Sequence, residues 1–216
     1  MFYLAAVSAG EQTAERLCAP VSDRFAGFLN SVDHRTTPPT ALELGYGMGT
    51  YTVALAHAGF HVLAVDQVPA QFLQERMAAY PECAERARVV EQRIEDFPIV
   101  EQFGVVLAKD VLHYLGREQV RDVLGRCIRW APTGAAHFLE VFTDIRRTDR
   151  RGRRVLIEGE AAYTASTFRE IAERLYSGWQ VHSTLTRHTE RNTDSPRNYF
   201  EANRITVCAR RQAAPE

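Results

Sequence analysis

Short apolar runs alternate with amphipathic stretches along most of this chain. At the start, Leu17, Cys18, Val21, Phe25, Phe28 and Leu29 form a helical stripe across residues 11–30. Pro20 kinks or divides that helix, because proline removes an intrahelical donor. The polar stretch Thr36-Thr37-Pro38-Pro39 ends it. A first strand is predicted at 41–44, a helix at 50–58 and a second strand at 61–65. Pro69 then opens a helix bearing Phe72, Leu73, Met77 and Tyr80, since the first helical position has no use for an N–H. Third and fourth strands are predicted at 88–91 and 105–108. Residues 117–130 give the clearest helix: Val120, Val123, Leu124, Cys127 and Ile128 repeat on one face.

A fifth strand is predicted at 136–142, followed by a polar, arginine-rich excursion at 144–160. A last helix spans 164–175, with Phe168, Ile171, Ala172 and Leu175 inward, and Thr167 and Glu170 have the spacing of a capping box. Two β-type stretches, 179–187 and 200–209, close the chain with no helix between them, which predicts an antiparallel pair. Repeated strand–helix units predict an α/β fold: a doubly wound, mostly parallel seven-stranded sheet with an antiparallel C-terminal strand. The whole chain, 1–216, reads as a single domain. Residues 1–39 are expected to form a helical lid, and 40–216 an α/β core with 144–160 as an insertion.

The segment Glu43-Leu44-Gly45-Tyr46-Gly47-Met48-Gly49-Thr50 follows the first strand. Glycines there let the backbone turn sharply and let a ligand approach where a Cβ would block it. Thr50 stands where a nicotinamide-type fingerprint needs its third glycine, and no lysine is placed for a phosphate loop. The spacing is acidic-x-Gly-x-Gly-x-Gly, with Asp66 ending the second strand. In these features the chain resembles the class I S-adenosylmethionine (SAM)-dependent methyltransferases, over residues 40–209 and best over 42–66. The overall look, with Leu112-His113-Tyr114-Leu115, is similar to the small-molecule and tellurite-resistance-like branch.

The resemblance implies a Rossmann-like methyltransferase fold and SAM as cofactor. It puts Glu43, Gly45, Tyr46, Gly47 and Gly49 against the methionine part, Asp66 on both ribose hydroxyls and Gln67 beside the adenine. A carboxylate has the acceptor capacity to grip a diol. The run Arg93-Ile94-Glu95-Asp96-Phe97-Pro98 resembles the family's adenine-binding turn. Arg93 stands where an aspartate is common, so the backbone of Ile94 or Glu95 is the expected contact. Backbone groups near Lys109 and Asp110 are implied to hold the methionine ammonium. His113 is the candidate general base, since an ordinary imidazole titrates near neutral pH. Tyr114 and Arg146 are the candidate substrate contacts. Arg146 belongs to a group with Arg147, Arg150, Arg151, Arg153 and Arg154 that suits a carboxylate or phosphate on a substrate or a carrier protein. Glu158 and Glu160 lie near enough to balance these charges.

Composition narrows the reading further. With 26 Lys+Arg against 27 Asp+Glu the net charge is −1, so no global field draws the chain to nucleic acid or an anionic membrane. The Asp/Asn-Pro-Pro-aromatic signature of base methyltransferases is absent, and a small-molecule substrate is expected. Of the basic residues only Lys109 is lysine. Cys18, Cys83, Cys127 and Cys208 are widely spaced, which argues for free thiols and against a metal site. Residues 1–10 have no signal-peptide pattern, so a cytoplasmic location is expected. His182, His188, Asn192 and Tyr199 match no metal motif and read as structural or exposed. Tyr3, Phe25 and Phe28 are candidates to line a pocket or to pack on the sheet. Two rival functions remain at this level: SAM-dependent cyclisation on the same fold, and a non-enzymatic SAM- or partner-binding module.

Overall fold

The computed structural model describes residues 20–149, 151–157, 160–191 and 198–212. Tyr3, Leu17 and Cys18, and with them much of the expected lid, lie outside these ranges, as do Arg150, Glu158 and Asn192. The first described helix is α1 (Asp23–Asn30), followed by β1 (Thr40–Leu44), α2 (Thr50–His57), β2 (His61–Asp66), α3 (Ala70–Ala78), α4 (Pro81–Ala84) and β3 (Ala87–Glu91). Then come β4 (Val105–Lys109), a 3-10 turn (Leu112–Tyr114), α5 (Arg117–Trp130), β5 (Ala136–Thr148), β6 (Arg154–Val155), α6 (Ala165–Leu175), β7 (Gln180–Arg191) and β8 (Asn198–Arg210).

These strands make one sheet in the order β3-β2-β1-β4-β5-β8-β7, with β6 paired to β5. The strands from β3 to β5 are parallel, whereas β8 is antiparallel to both β5 and β7. From β1 the chain steps outward to β2 and β3, then returns to place β4 on β1's other side. That reversal makes the carboxyl ends of β1 and β4 the switch point at which such sheets bind ligands.

Side-chain alternation distributes the core over two faces. Leu42, Leu44, Val106, Leu139 and Val141 pack with α5 and α6 through Val120, Leu124, Phe168 and Ile171. Ala41, Val105, Leu107 and Phe138 pack with α1, α2 and α3 on the other face. Phe25 and Phe28 of α1 each lie 5.3 Å from the Phe138 ring, so both serve as packing on the sheet. The Ser22 side chain caps α1 by accepting from the Phe25 N–H at 3.4 Å.

The main path has the seven strands expected, with β8 alone reversed against the rest, and the short β6 adds an eighth strand off that path. Two expectations need correction. The fifth strand does not give way to a loop at 144. Asp144 takes φ 52°, the register shifts between Thr143 and Arg146, and the strand then resumes opposite Glu201 and Phe200. Such a bulge bends a strand without ending it. Finally, the cap of α6 is Thr164, whose hydroxyl accepts from the Thr167 N–H at 3.2 Å. Thr167 itself lies inside the helix.

Candidate active site

The loop after β1 is held by contacts that only its glycines allow. Gly45 has φ 83°, its N–H donates to the Val65 carbonyl at 2.7 Å, and a Cβ there would come within 2.7 Å of the Val111 side chain. Gly47 has φ 51°, and a Cβ on it would meet nothing within 4 Å. The loop is therefore packed tight at Gly45 and faces open space at Gly47. Gly49 serves as the N-cap of α2. The Gly47 N–H donates to Asp66 Oδ2 at 2.8 Å, joining the loop to the end of β2. Asp66 Oδ1 accepts from the Val68 N–H at 3.1 Å. Burial raises the Asp66 carboxyl above its usual range, against the opposing effect of the Gly47, Val68 and Gln67 N–H donors.

Glu43 and Tyr46 brace this loop from beneath. The Thr52 hydroxyl donates to the buried Glu43 carboxyl, whose pKa burial pushes up to about 8. The buried Tyr46 hydroxyl donates to the Val68 carbonyl. Both side chains thus have partners within the protein. Gln67 is exposed beside Asp66.

At the exit of β4, Asp110 adopts φ 53°, a left-handed conformation unusual for a residue with a Cβ. Its N–H donates to the Glu140 carbonyl at 2.8 Å. Its Oδ2 pairs with the Lys109 ammonium, while Oδ1 is buried without a hydrogen-bond partner among the described residues. Lys109 Nζ also lies 3.3 Å from Glu140 Oε1 and 5.3 Å from the Tyr51 ring centre. Burial works to lower the Lys109 pKa, but Asp110, Tyr51 and Glu140 outweigh it and the net shift is upward.

His113 sits in the 3-10 turn, 1 % exposed, with its ring 4.1 Å from Tyr114 and 5.4 Å from Phe142. Burial depresses its pKa to about 3, and its Nδ1 has no hydrogen-bond partner among the described residues. The imidazole is therefore neutral throughout the physiological range. Tyr114 is 42 % exposed at the surface beside it. Ile94 is buried in the core, and the Glu95 carboxylate accepts from Arg93 Nε at 2.8 Å and Gln119 Nε2 at 3.4 Å. Arg126 donates to the carbonyls of Glu95, at 2.8 Å, and Phe97, which fixes this turn to α5.

The structure brings together the glycine loop, Asp66, Lys109, Asp110, His113 and Tyr114, with the Ile94–Glu95 turn beyond β3. It does not bring Arg146 to them. Arg146 is exposed, and its neighbour Arg147 turns inward to a two-pronged pair with Glu160, at 2.5 and 2.8 Å. Sequence reasoning named Arg147 only as one of the arginine group, and it missed Thr52, Tyr51, Arg126, Glu140 and Arg204. A signal existed for Glu140: a lone acid inside the apolar run 136–142 is unusual, since carboxylates are seldom fully buried without partners.

Residues 41–134 match the family described as "Methyltransferase domain". A curated relative, ribosomal RNA small subunit methyltransferase A of Thermotoga maritima, is 38% identical over 77 residues. That match covers 35% of this chain and a quarter (25%) of the relative's length. Among solved structures, TehB of Haemophilus influenzae superposes with a TM-score of 0.68 at 12% identity, over 94% of this chain and 66% of that one. The 1,6-didemethyltoxoflavin-N1-methyltransferase of Burkholderia thailandensis, with its namesake compound and S-adenosylhomocysteine bound, gives 0.62 at 13% identity, over 98% and 86%. Magnesium protoporphyrin IX methyltransferase of Synechocystis PCC 6803, with bound SAM, gives 0.58 at 15% identity, over 97% and 84%. At these identities the structural likeness is one of fold.

Proposed function

We propose that the chain is a class I SAM-dependent methyltransferase that methylates a heteroatom or carbon of a small molecule, a reading supported by the family match over residues 41–134 and by the fold. One observation carries the cofactor assignment: the Gly47 N–H on Asp66 brings the glycine loop and the β2 acid together at the switch point. The residues fit the cofactor. Gly47 leaves room for close approach, and Asp110 offers a buried oxygen without a hydrogen-bond partner.

In this reading Asp66 takes the ribose hydroxyls with lone pairs that its backbone donors leave free. Gly45, Gly47 and Gly49 shape the methionine end, with Glu43 and Tyr46 as braces. The backbone at Lys109 and Asp110 holds the ammonium. Gln67 flanks the adenine, and the backbone of Ile94 and Glu95 contacts its edge. When bound, SAM supplies an activated methyl and leaves as S-adenosylhomocysteine. The protein's task is mainly alignment, which can contribute on the order of 7–11 kcal/mol. His113 presents Nδ1 to the acceptor and receives a hydrogen bond from its nucleophile. A group with a pKa of about 3 orients that nucleophile better than it removes its proton. Tyr114 lines the acceptor side. Arg146, exposed on β5, is placed for an acceptor group or carrier protein that arrives from outside.

The near-neutral net charge favours a small molecule over RNA. Calorimetry with SAM and S-adenosylhomocysteine, on wild type, Asp66→Ala and Asp66→Asn, tests the cofactor site. Micromolar binding lost in the alanine variant supports it, and no binding by folded wild type rejects it. An acceptor panel of small molecules and structured RNA then separates the chemistries. S-adenosylhomocysteine formed with a small molecule supports the proposal. The same product with RNA alone overturns the acceptor class, and methylthioadenosine would mean cyclisation.

A further inference from the structure

Glu140 is 0 % exposed in the middle of β5, yet two cations converge on one of its oxygens. Lys109 Nζ lies 3.3 Å and Arg204 Nε 3.5 Å from Oε1, while the Thr206 hydroxyl donates to Oε2 at 3.1 Å. Lys109 also pairs with Asp110, so two cations and two carboxylates form a partly buried cluster of zero net charge around Glu140. Its surroundings add no charge. His113 is neutral, and Arg147 is matched by Glu160. The cluster borders the glycine loop directly, because Lys109 lies over Tyr51, two residues past Gly49, and Val111 packs on Gly45.

Resting on the cofactor reading above, we propose that Glu140 is a positioning residue: it draws the Lys109 ammonium back toward β5 and so keeps the methyl-donor end of the pocket electrically neutral. The two forms of the cofactor differ in what they ask of that neutrality. SAM carries a sulfonium charge that S-adenosylhomocysteine lacks. Without the Glu140 carboxylate, Lys109 and Arg204 face Asp110 alone and one positive charge is left over. Lys109, released from β5, then stands near the sulfonium. The penalty therefore falls on SAM more than on its product. A defect of packing would weaken both alike.

The experiment measures dissociation constants for SAM and S-adenosylhomocysteine by calorimetry on the full chain, with unfolding midpoints recorded alongside. Glu140→Gln keeps the shape and the Thr206 hydrogen bond while removing the charge. It is expected to weaken SAM about tenfold more than S-adenosylhomocysteine, the order expected for one uncompensated charge in a partly buried site. In Lys109→Met/Glu140→Gln the charges balance again, and the affinity ratio should return to that of wild type. Lys109→Met alone, which leaves one negative charge in excess, should shift the ratio the other way and does not depend on Glu140→Gln folding. A ratio unchanged in Glu140→Gln or in Lys109→Met overturns the proposal. Wild type that binds neither ligand overturns the cofactor reading beneath it.

Discussion

At the scale of single residues, folding strips water from Glu43, Asp66, His113 and His137, and each then ties stability to pH. Burial holds both histidines at about 3. As pH falls from 6.5 toward 3, the unfolded chain takes up protons that the folded chain refuses. Stability then drops by up to about 1.4 kcal/mol per pH unit for each histidine. Glu43 acts on the opposite side. Its folded pKa of about 8 exceeds the ordinary 4.5, so its contribution is complete below 4.5 and is lost as pH rises to about 8. Asp66, also raised by burial, has the same sign. Between 4.5 and 6.5 the two histidines outweigh Glu43, and above 6.5 Glu43 acts against stability alone, so stability should be greatest near the upper end of that window. Urea midpoints measured from pH 4 to 9 should fall on both sides, and Glu43→Gln should flatten the alkaline limb. An alkaline limb as steep in that variant would show that Glu43 does not carry it.

At the scale of elements, the start of α6 separates two caps that the sequence cannot tell apart. Thr164 carries the observed cap, so Thr164→Ala should cost about 1 kcal/mol in chemical denaturation. Glu170→Ala, which removes the acceptor that a capping box would use, should stay within about 0.5 kcal/mol, as an ordinary surface change does. A larger loss at Glu170 would restore the capping box expected at Thr167. Strand β4 was legible because a parallel strand buried on both faces reads as an unbroken apolar run, and β1 because only Glu43 interrupts such a run over 41–44. Beyond Thr143, β5 was not, because its remaining residues are mostly polar and half-exposed. The same stretch hides which arginine turns inward. Counting by twos from Phe142 puts Arg146 on Phe142's face, but the bulge resets the phase. Ile145 joins Phe142 and Phe200 instead, and Arg147 stacks over Phe200 at 5.1 Å. The glycine loop and Asp66 were legible as a motif. Their braces were not: Thr52 meets Glu43 only once the turn has folded back.

At the scale of the whole molecule, β5, β7 and β8 run on past the parallel strands, and the chain around residue 160 returns to the β4 exit. Two contacts fasten that return: the Ala161 N–H donates to the His113 carbonyl at 3.2 Å, and Glu160 grips Arg147. Because Arg147 and Glu160 are only 10% and 12% exposed, removing one partner leaves the other charge poorly hydrated. Breaking a fully buried pair costs about 3–5 kcal/mol, and residual solvent access should bring Arg147→Met to about 2 kcal/mol. Arg147→Met/Glu160→Leu should recover most of that loss, since two apolar side chains leave no orphaned charge. Neither change touches the glycine loop, Asp66 or the Lys109–Glu140 cluster. Both variants should therefore bind S-adenosylhomocysteine within about twofold of wild type, while acceptor turnover falls as His113 loses its support. If cofactor affinity fell with stability, the two halves of the pocket would be one cooperative unit. The charge cluster at Glu140 would then have to be tested in a background where Arg147 is intact.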